Sequence, residues 1–149
     1  MTPDVNVLVA ASRADHAHHA IASHWLTQAL LECATPSVKS PSFQLMGTVV
    51  ASFLRLVTHP KIFVEPTPMA QALAFANAVL ASPGVGWLPT GTEWGALHRL
   101  CNDLALSGNA VPDAWIAATT LTQGEVLVTF DRDFVTLLPS ENLLLLPTR

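Results

Sequence analysis

Asp113, Asp131 and Asp133 fall within one otherwise apolar stretch, GNAVPDAWIAATTLTQGEVLVTFDRDF, which runs from Gly108 to Phe134. Asp4 lies in TPDVNVLVAA near the start. The chain is half hydrophobic and only 12% charged, so a core alone does not account for acids at these places. Carboxylates crowded into one cleft repel each other. A hard divalent cation, bound through carboxylates and water, relieves that repulsion, and Mg²⁺ or Mn²⁺ suits such donors. A cation held in this way activates water and stabilises a phosphoryl transition state. A plainer account fits the same residues. Asp113 falls in the first turn of an expected helix, where the dipole favours an anion by ~0.3–1 kcal/mol. Asp131 and Asp133 suit a turn, where aspartate bonds its own backbone. Spacing alone leaves both accounts open.

Positioning such acids requires strand ends and helix starts. MTPDVNVLVAA reads as a clipped strand that turns into a helix after Asp4. Between Asp15 and Glu32, the residues Ile21, Trp25, Leu26, Leu30 and Leu31 recur at helical spacing, with Asp15 as N-cap. CATPSVKSPS is a loop with a very short strand around Val38. A second apolar helix is expected over Ser42 to Val57, stopping at THP because Pro60 restricts the residue before it. IFVEPTP is extended, and Thr67 caps an alanine-rich helix that reaches Ala81. VGWLP is a short strand, and Thr92 caps a helix running to Leu106. Pro112 falls in the first turn of the next helix, which Gly124 ends. VLVTF is a buried strand with DRDF at its carboxyl end, and NLLLLP is the last strand. Short strands alternating with helices indicate an α/β sandwich with a mainly parallel sheet. Such sheets bind ligands beyond the carboxyl ends of their strands. Asp131 lies there by this reading, and so does Asp4 if the first strand is as short as it looks.

Four segments occur in order across nearly the whole chain: DVNVLVA from Asp4, FLRLVTHPKIF from Phe53, GNAVPDAWIAA from Gly108 and LVTFDRDF from Leu127. Each is weak alone; as an ordered set they resemble the PIN-domain ribonucleases, and more narrowly the VapC-type toxins of bacterial toxin–antitoxin systems. The resemblance implies a PIN-like three-layer sandwich with a mainly parallel five-stranded sheet flanked by helices. It also implies a homodimer, a protein antitoxin as partner, and a Mg²⁺- or Mn²⁺-dependent endoribonuclease with RNA as substrate. By this match Asp4, Asp113 and Asp131 are the metal-holding acids and Asp133 an accessory catalytic group. Asn6 and Thr129 match polar residues that line the same site.

One departure stands out. The family carries an acid in the helix before FLRLVTHP, whereas no Asp or Glu occurs here between Glu32 and Glu65. The matching position falls at or within about a turn of Gly47, with Thr48 or Ser52 as substitute hydroxyl ligands. A glycine inside that expected helix costs roughly 1 kcal/mol relative to alanine. The alternative function is therefore a catalytically weakened or inactive PIN-fold module that binds an antitoxin or RNA.

The remaining features bound the reading. A length of 149 residues suits one domain, 1–149. A net charge of −4 offers no basic stripe for nucleic acid, so Arg55, His59 and Lys61 are either local phosphate contacts or a solvated helix end. Cys33 and Cys101 lack metal-ligand spacing, and a reduced, cytoplasmic protein is the simpler expectation. The start lacks a basic head and long apolar run, and no stretch reaches the ~18 apolar residues of a membrane span. His16, His18 and His19 have no zinc pattern around them and are expected on the surface or facing a partner. Trp25, Trp87, Trp94 and Trp115 are expected mostly in the core. DRDFV resembles the nucleophile motif of haloacid-dehalogenase-like phosphatases, but no lysine follows it, as that family requires. There is no G-x-S-x-G, P-loop or G-x-G-x-x-G.

Overall fold

The computed structural model describes residues 1–35 and 42–148. The expected strand around Val38 lies outside them. In chain order the elements are β1 (Thr2–Pro3), α1 (Val5–Ser12), α2 (His19–Ala34), β2 (Phe43–Leu45), α3 (Gly47–Val57), α4 (Met69–Leu80), β3 (Val85–Trp87), α5 (Trp94–Asp103), α6 (Ala110–Gln123), β4 (Leu127–Thr129) and β5 (Leu143–Leu145). Two 3₁₀ turns, Arg132–Thr136 and Ser140–Asn142, join β4 to β5.

The strands form two ladders, not the single five-stranded sheet expected. One has the order β1-β4-β5 and the other pairs β2 with β3, and every pairing is parallel. Gln44 N–H donates to Met1 O at 3.0 Å, so one hydrogen bond ties β2 to the edge of β1. The strands are two or three residues long, which leaves room for little more pairing than this.

Successive residues of a strand face opposite sides of a sheet. In β4, Val128 packs into a core built on Val7, Phe43, Val49 and Phe53. Leu127 packs with Ala117, Phe134, Leu137 and Leu138. Apolar layers therefore cover both faces, as a parallel sheet requires, and the chain is an α/β sandwich of PIN type. α1 is the most enclosed helix, with Val7 to Ala11 all buried, and α2 and α3 pack against it.

Several sequence-based boundaries need correction. The expected helix from Ser42 begins only at Gly47, because Phe43 and Leu45 are buried in the ladder with β3 while Gln44 is only half-buried. Gly47 thus opens α3, and the penalty for a glycine within a helix does not apply. Asp15 does not cap α2, which starts at His19; its carboxylate instead takes the Arg13 guanidinium at 2.6 and 3.0 Å. The Thr67 hydroxyl accepts from Arg13 at 3.0 Å, leaving Pro68 at the cap of α4. α5 starts at Trp94 and ends at Asp103, and it is Glu93, buried and accepting from Gly91 N–H at 2.7 Å, that shapes its entry. The tryptophans are not mostly core: Trp87, Trp94 and Trp115 are exposed, and only Trp25 packs inward, against Phe43. Pro112 and Gly124 behave as expected, Gly124 closing α6 in the left-handed region at φ 64°. No helix among the described residues is long and apolar enough to cross a membrane.

Candidate active site

The carboxyl edge of the larger ladder is set by its register. Thr2 pairs with Leu127 and Pro3 with Val128, so Asp4 and Thr129 come next, side by side. The Asp4 carboxylate is 3% exposed and almost fully engaged. One oxygen accepts from Val5 N–H at 2.6 Å, which caps α1. The other accepts from the Thr129 hydroxyl at 2.7 Å and from the Asn6 amide at 2.8 Å. Asn6 reaches back across the edge, its side-chain oxygen accepting from Phe130 N–H at 3.2 Å. Thr129 Oγ1 accepts from Asp131 N–H at 3.0 Å, and Asp131 in turn accepts from Asp133 N–H at 2.8 Å. A continuous chain of hydrogen bonds therefore runs from Asp4 to Asp133.

The electrostatics bring in Asp113. Burial pushes the Asp4 pKa up to about 6; the bonds from Thr129 and Val5 oppose this, and the charges of Asp113 and Asp131 add to it. Asp113, half-buried in the first turn of α6, is also raised, first by burial and then by Asp131 and Asp133. Asp113, Arg132 and Asp133 line a cleft of about 350 Å³ with Asn109 and Thr136. A larger cleft of about 500 Å³ beside Arg99 and Asp103 contains none of these acids.

The charges of Asp113 and Asp131 thus act on Asp4, and those of Asp131 and Asp133 on Asp113, while Asp133 is exposed. Among the described residues, no three His, Cys, Asp or Glu side chains form a ready-made cage for a metal ion. The donor set fits a hard divalent cation nonetheless. Its acids offer carboxylate oxygens, and a cation would favour the ionised form of Asp4 that burial, and to a smaller degree the charges of Asp113 and Asp131, disfavour.

Gly47 lies at the same edge. The bond from Gln44 N–H to Met1 O aligns β2 with β1, and Gly47 follows Gln44 by as many residues as Asp4 follows Met1. A side chain there would meet nothing within 4 Å. Arg55, in the last turn of α3, is eight residues along the helix, a rise of roughly 12 Å. Sequence reasoning put His18 on the surface or facing a partner; it is half-buried, and its ring stacks on Phe130 with centroids 4.9 Å apart. Nothing local signals that contact, because its partners are distant in the chain.

No family model matches the chain. Curated relatives do. The chain is 40% identical over 134 residues to Ribonuclease VapC31 of Mycobacterium tuberculosis, covering 88% of each protein. It is equally similar to Ribonuclease VapC25 of the same organism, again over 88% of each. It is 36% identical over 132 residues to VapC ribonuclease Mb2897 of Mycobacterium bovis, covering 88% of this chain and 85% of that one. The chain belongs to the VapC family of PIN-domain ribonucleases.

Proposed function

We propose that the chain is a divalent-metal-dependent endoribonuclease that acts as the toxin of a toxin–antitoxin pair. Asp4, Asp113 and Asp131 hold the ion, Mg²⁺ or Mn²⁺, directly or through water. An ion held by these residues would lower the pKa of a water so that hydroxide is available as nucleophile toward an RNA phosphodiester, and would supply positive charge against the negative charge that develops there. Asn6 and Thr129 hold Asp4 ionised and aimed, and Thr129 also fixes the backbone of Asp131. Asp133, bonded to Asp131 through its N–H, borders the cleft in which the RNA strand lies. The protein works in the cytoplasm as a homodimer and is silenced by a protein antitoxin.

The observation that carries this reading is Asp4 at the strand edge, bonded to Thr129 and Asn6 and pushed toward neutrality chiefly by burial, with smaller contributions from the charges of Asp113 and Asp131. Three mutually repelling carboxylates are costly to a fold and useful to a cation site. The test is cleavage of single-stranded RNA with Mg²⁺ or Mn²⁺, with and without chelator. Chelation is expected to stop cleavage. Asp4→Asn and Asp131→Asn are each expected to lose more than the roughly 10–100-fold that loss of an outer partner costs a metal site. Chelator-resistant cleavage, or Asp131→Asn at the wild-type rate, would refute the assignment.

A second reading rests on Gly47. With no acid between Glu32 and Glu65, the chain is instead a PIN-fold module that binds an antitoxin or RNA without cutting. RNA that binds and survives intact with Mn²⁺ would favour it.

A further inference from the structure

Three rings stand beside the acidic edge. Phe130 lies between Thr129 and Asp131, on the sheet face shared with Val128. The His18 ring stacks on it at 4.9 Å with an interplanar angle of 23°. The His16 ring is tilted against His18, with centroids 5.7 Å apart.

The segment carrying the histidines is fixed by its own hydrogen bonds. His16 N–H donates to Arg13 O at 3.1 Å, His18 N–H to His16 Nδ1 at 3.1 Å, and His19 N–H to His16 O at 2.9 Å. His19 Nδ1 is 2.9 Å from Ala10 O, which pins the segment to α1. Arg13 is buried, bonded to Asp15, Glu65 O and Thr67, and stacked over Phe63. The rings are therefore held in place before any ligand arrives.

Covering Phe130 requires only an aliphatic side chain. The residue that does so here is a half-exposed imidazole, with a second beside it, over a phenylalanine that is itself flanked in the chain by Thr129 and Asp131 of the acidic network. A chain of net charge −4 gains little RNA affinity from its overall field. Stacking on π faces binds nucleotides without relying on that field and tolerates every base. We infer that the His18–Phe130 pair, flanked by His16, is the stacking platform for the RNA nucleotide next to the phosphodiester that is cut. This rests on the ribonuclease reading above.

The test uses a single-stranded oligoribonucleotide that the wild-type protein cuts, with 2-aminopurine placed on either side of the mapped cut. Full-length Asp131→Asn protein is titrated into it with Mn²⁺, so that binding is read without cleavage. Stacking quenches the fluorescence of one of the two probes. His18→Leu in this background keeps apolar cover over Phe130 and removes the π face. Quenching is expected to disappear and binding to weaken by about 5- to 150-fold, while His18→Phe retains both. Circular dichroism checks that each variant is folded. Undiminished quenching and affinity in folded His18→Leu overturns the platform and leaves the ribonuclease reading intact. Failure of the wild-type protein to cut any RNA removes that reading and the platform with it.

Discussion

Thr129 does more at this site than any single acid does alone. Its hydroxyl donates to Asp4, accepts from Asn6 at 2.9 Å and accepts from Asp131 N–H, and it is fully buried. Replacing it with valine keeps the shape and removes all three bonds. Leaving buried donors unpaired costs about 1–3 kcal/mol, so Thr129→Val should unfold at measurably lower denaturant. The Thr129 bond also lowers the Asp4 pKa against the effect of burial. Without it, Asp4 should ionise only at a pH still further above 6, and the acid limb of the pH–rate profile should move upward. A Thr129→Val profile superimposable on that of the wild type would show that this hydroxyl does not govern Asp4. Asn6→Ala, which removes a partner of Asp4 but no ionisable group, should cost roughly 10–100-fold in cleavage, as outer partners of metal ligands do.

The first turn of α3 is where element and site meet. Gly47 is exposed, has open space around it and opens a helix with no acid in its first turn. Gly47→Glu should be easily accommodated. At the first helical position it gains a favourable dipole contact of ~0.3–1 kcal/mol. If the missing acid limits metal binding, the variant should bind Mn²⁺ more tightly and cut RNA faster; unchanged affinity and turnover would mean Gly47 is not the limiting position. The sequence carried the placement of Asp4, Asp113 and Asp131 at element ends, because Pro112, Gly124 and the apolar VLVTF run are strong local signals. It did not carry the break between β2 and α3. Phe43-Gln44-Leu45 alternates apolar and polar over only three residues, too few to separate strand from helix by period, and it runs into α3 without a turn signal. The caps at Asp15, Thr67 and Thr92 failed for another reason. Arg13 takes both of the first two side chains, Asp15 from two residues along the chain and Thr67 across the fold, and Glu93 rather than Thr92 shapes the entry to α5.

At the scale of the whole molecule, the buried acid makes folding depend on pH and on metal together. A carboxyl group whose folded pKa is raised contributes stability below its unfolded value, and that contribution is lost as pH rises through the folded value. For Asp4 the window runs from the model-peptide value of 3.8 to about 6, and the loss is on the order of 3 kcal/mol. Asp113 is shifted in the same direction. His16 works oppositely: partial burial holds it below 6.5, so it adds stability as pH rises through that range. The Asp4 contribution is therefore read as the difference between wild type and Asp4→Asn. Metal-free wild-type protein should lose stability relative to Asp4→Asn between pH 4 and pH 7. A divalent ion that binds the ionised edge should restore it. At a hundredfold excess over its dissociation constant the ion adds about 2.7 kcal/mol, which raises Tm by roughly 5–10 °C in a chain of this size. At pH 5, with Asp4 protonated, the same ion should shift Tm far less. Thermal unfolding with and without Mn²⁺ at pH 5 and pH 7.5 measures both effects at once. Equal shifts at the two pH values would show that the ion binds elsewhere, and that the repulsion at this edge is relieved by some other means.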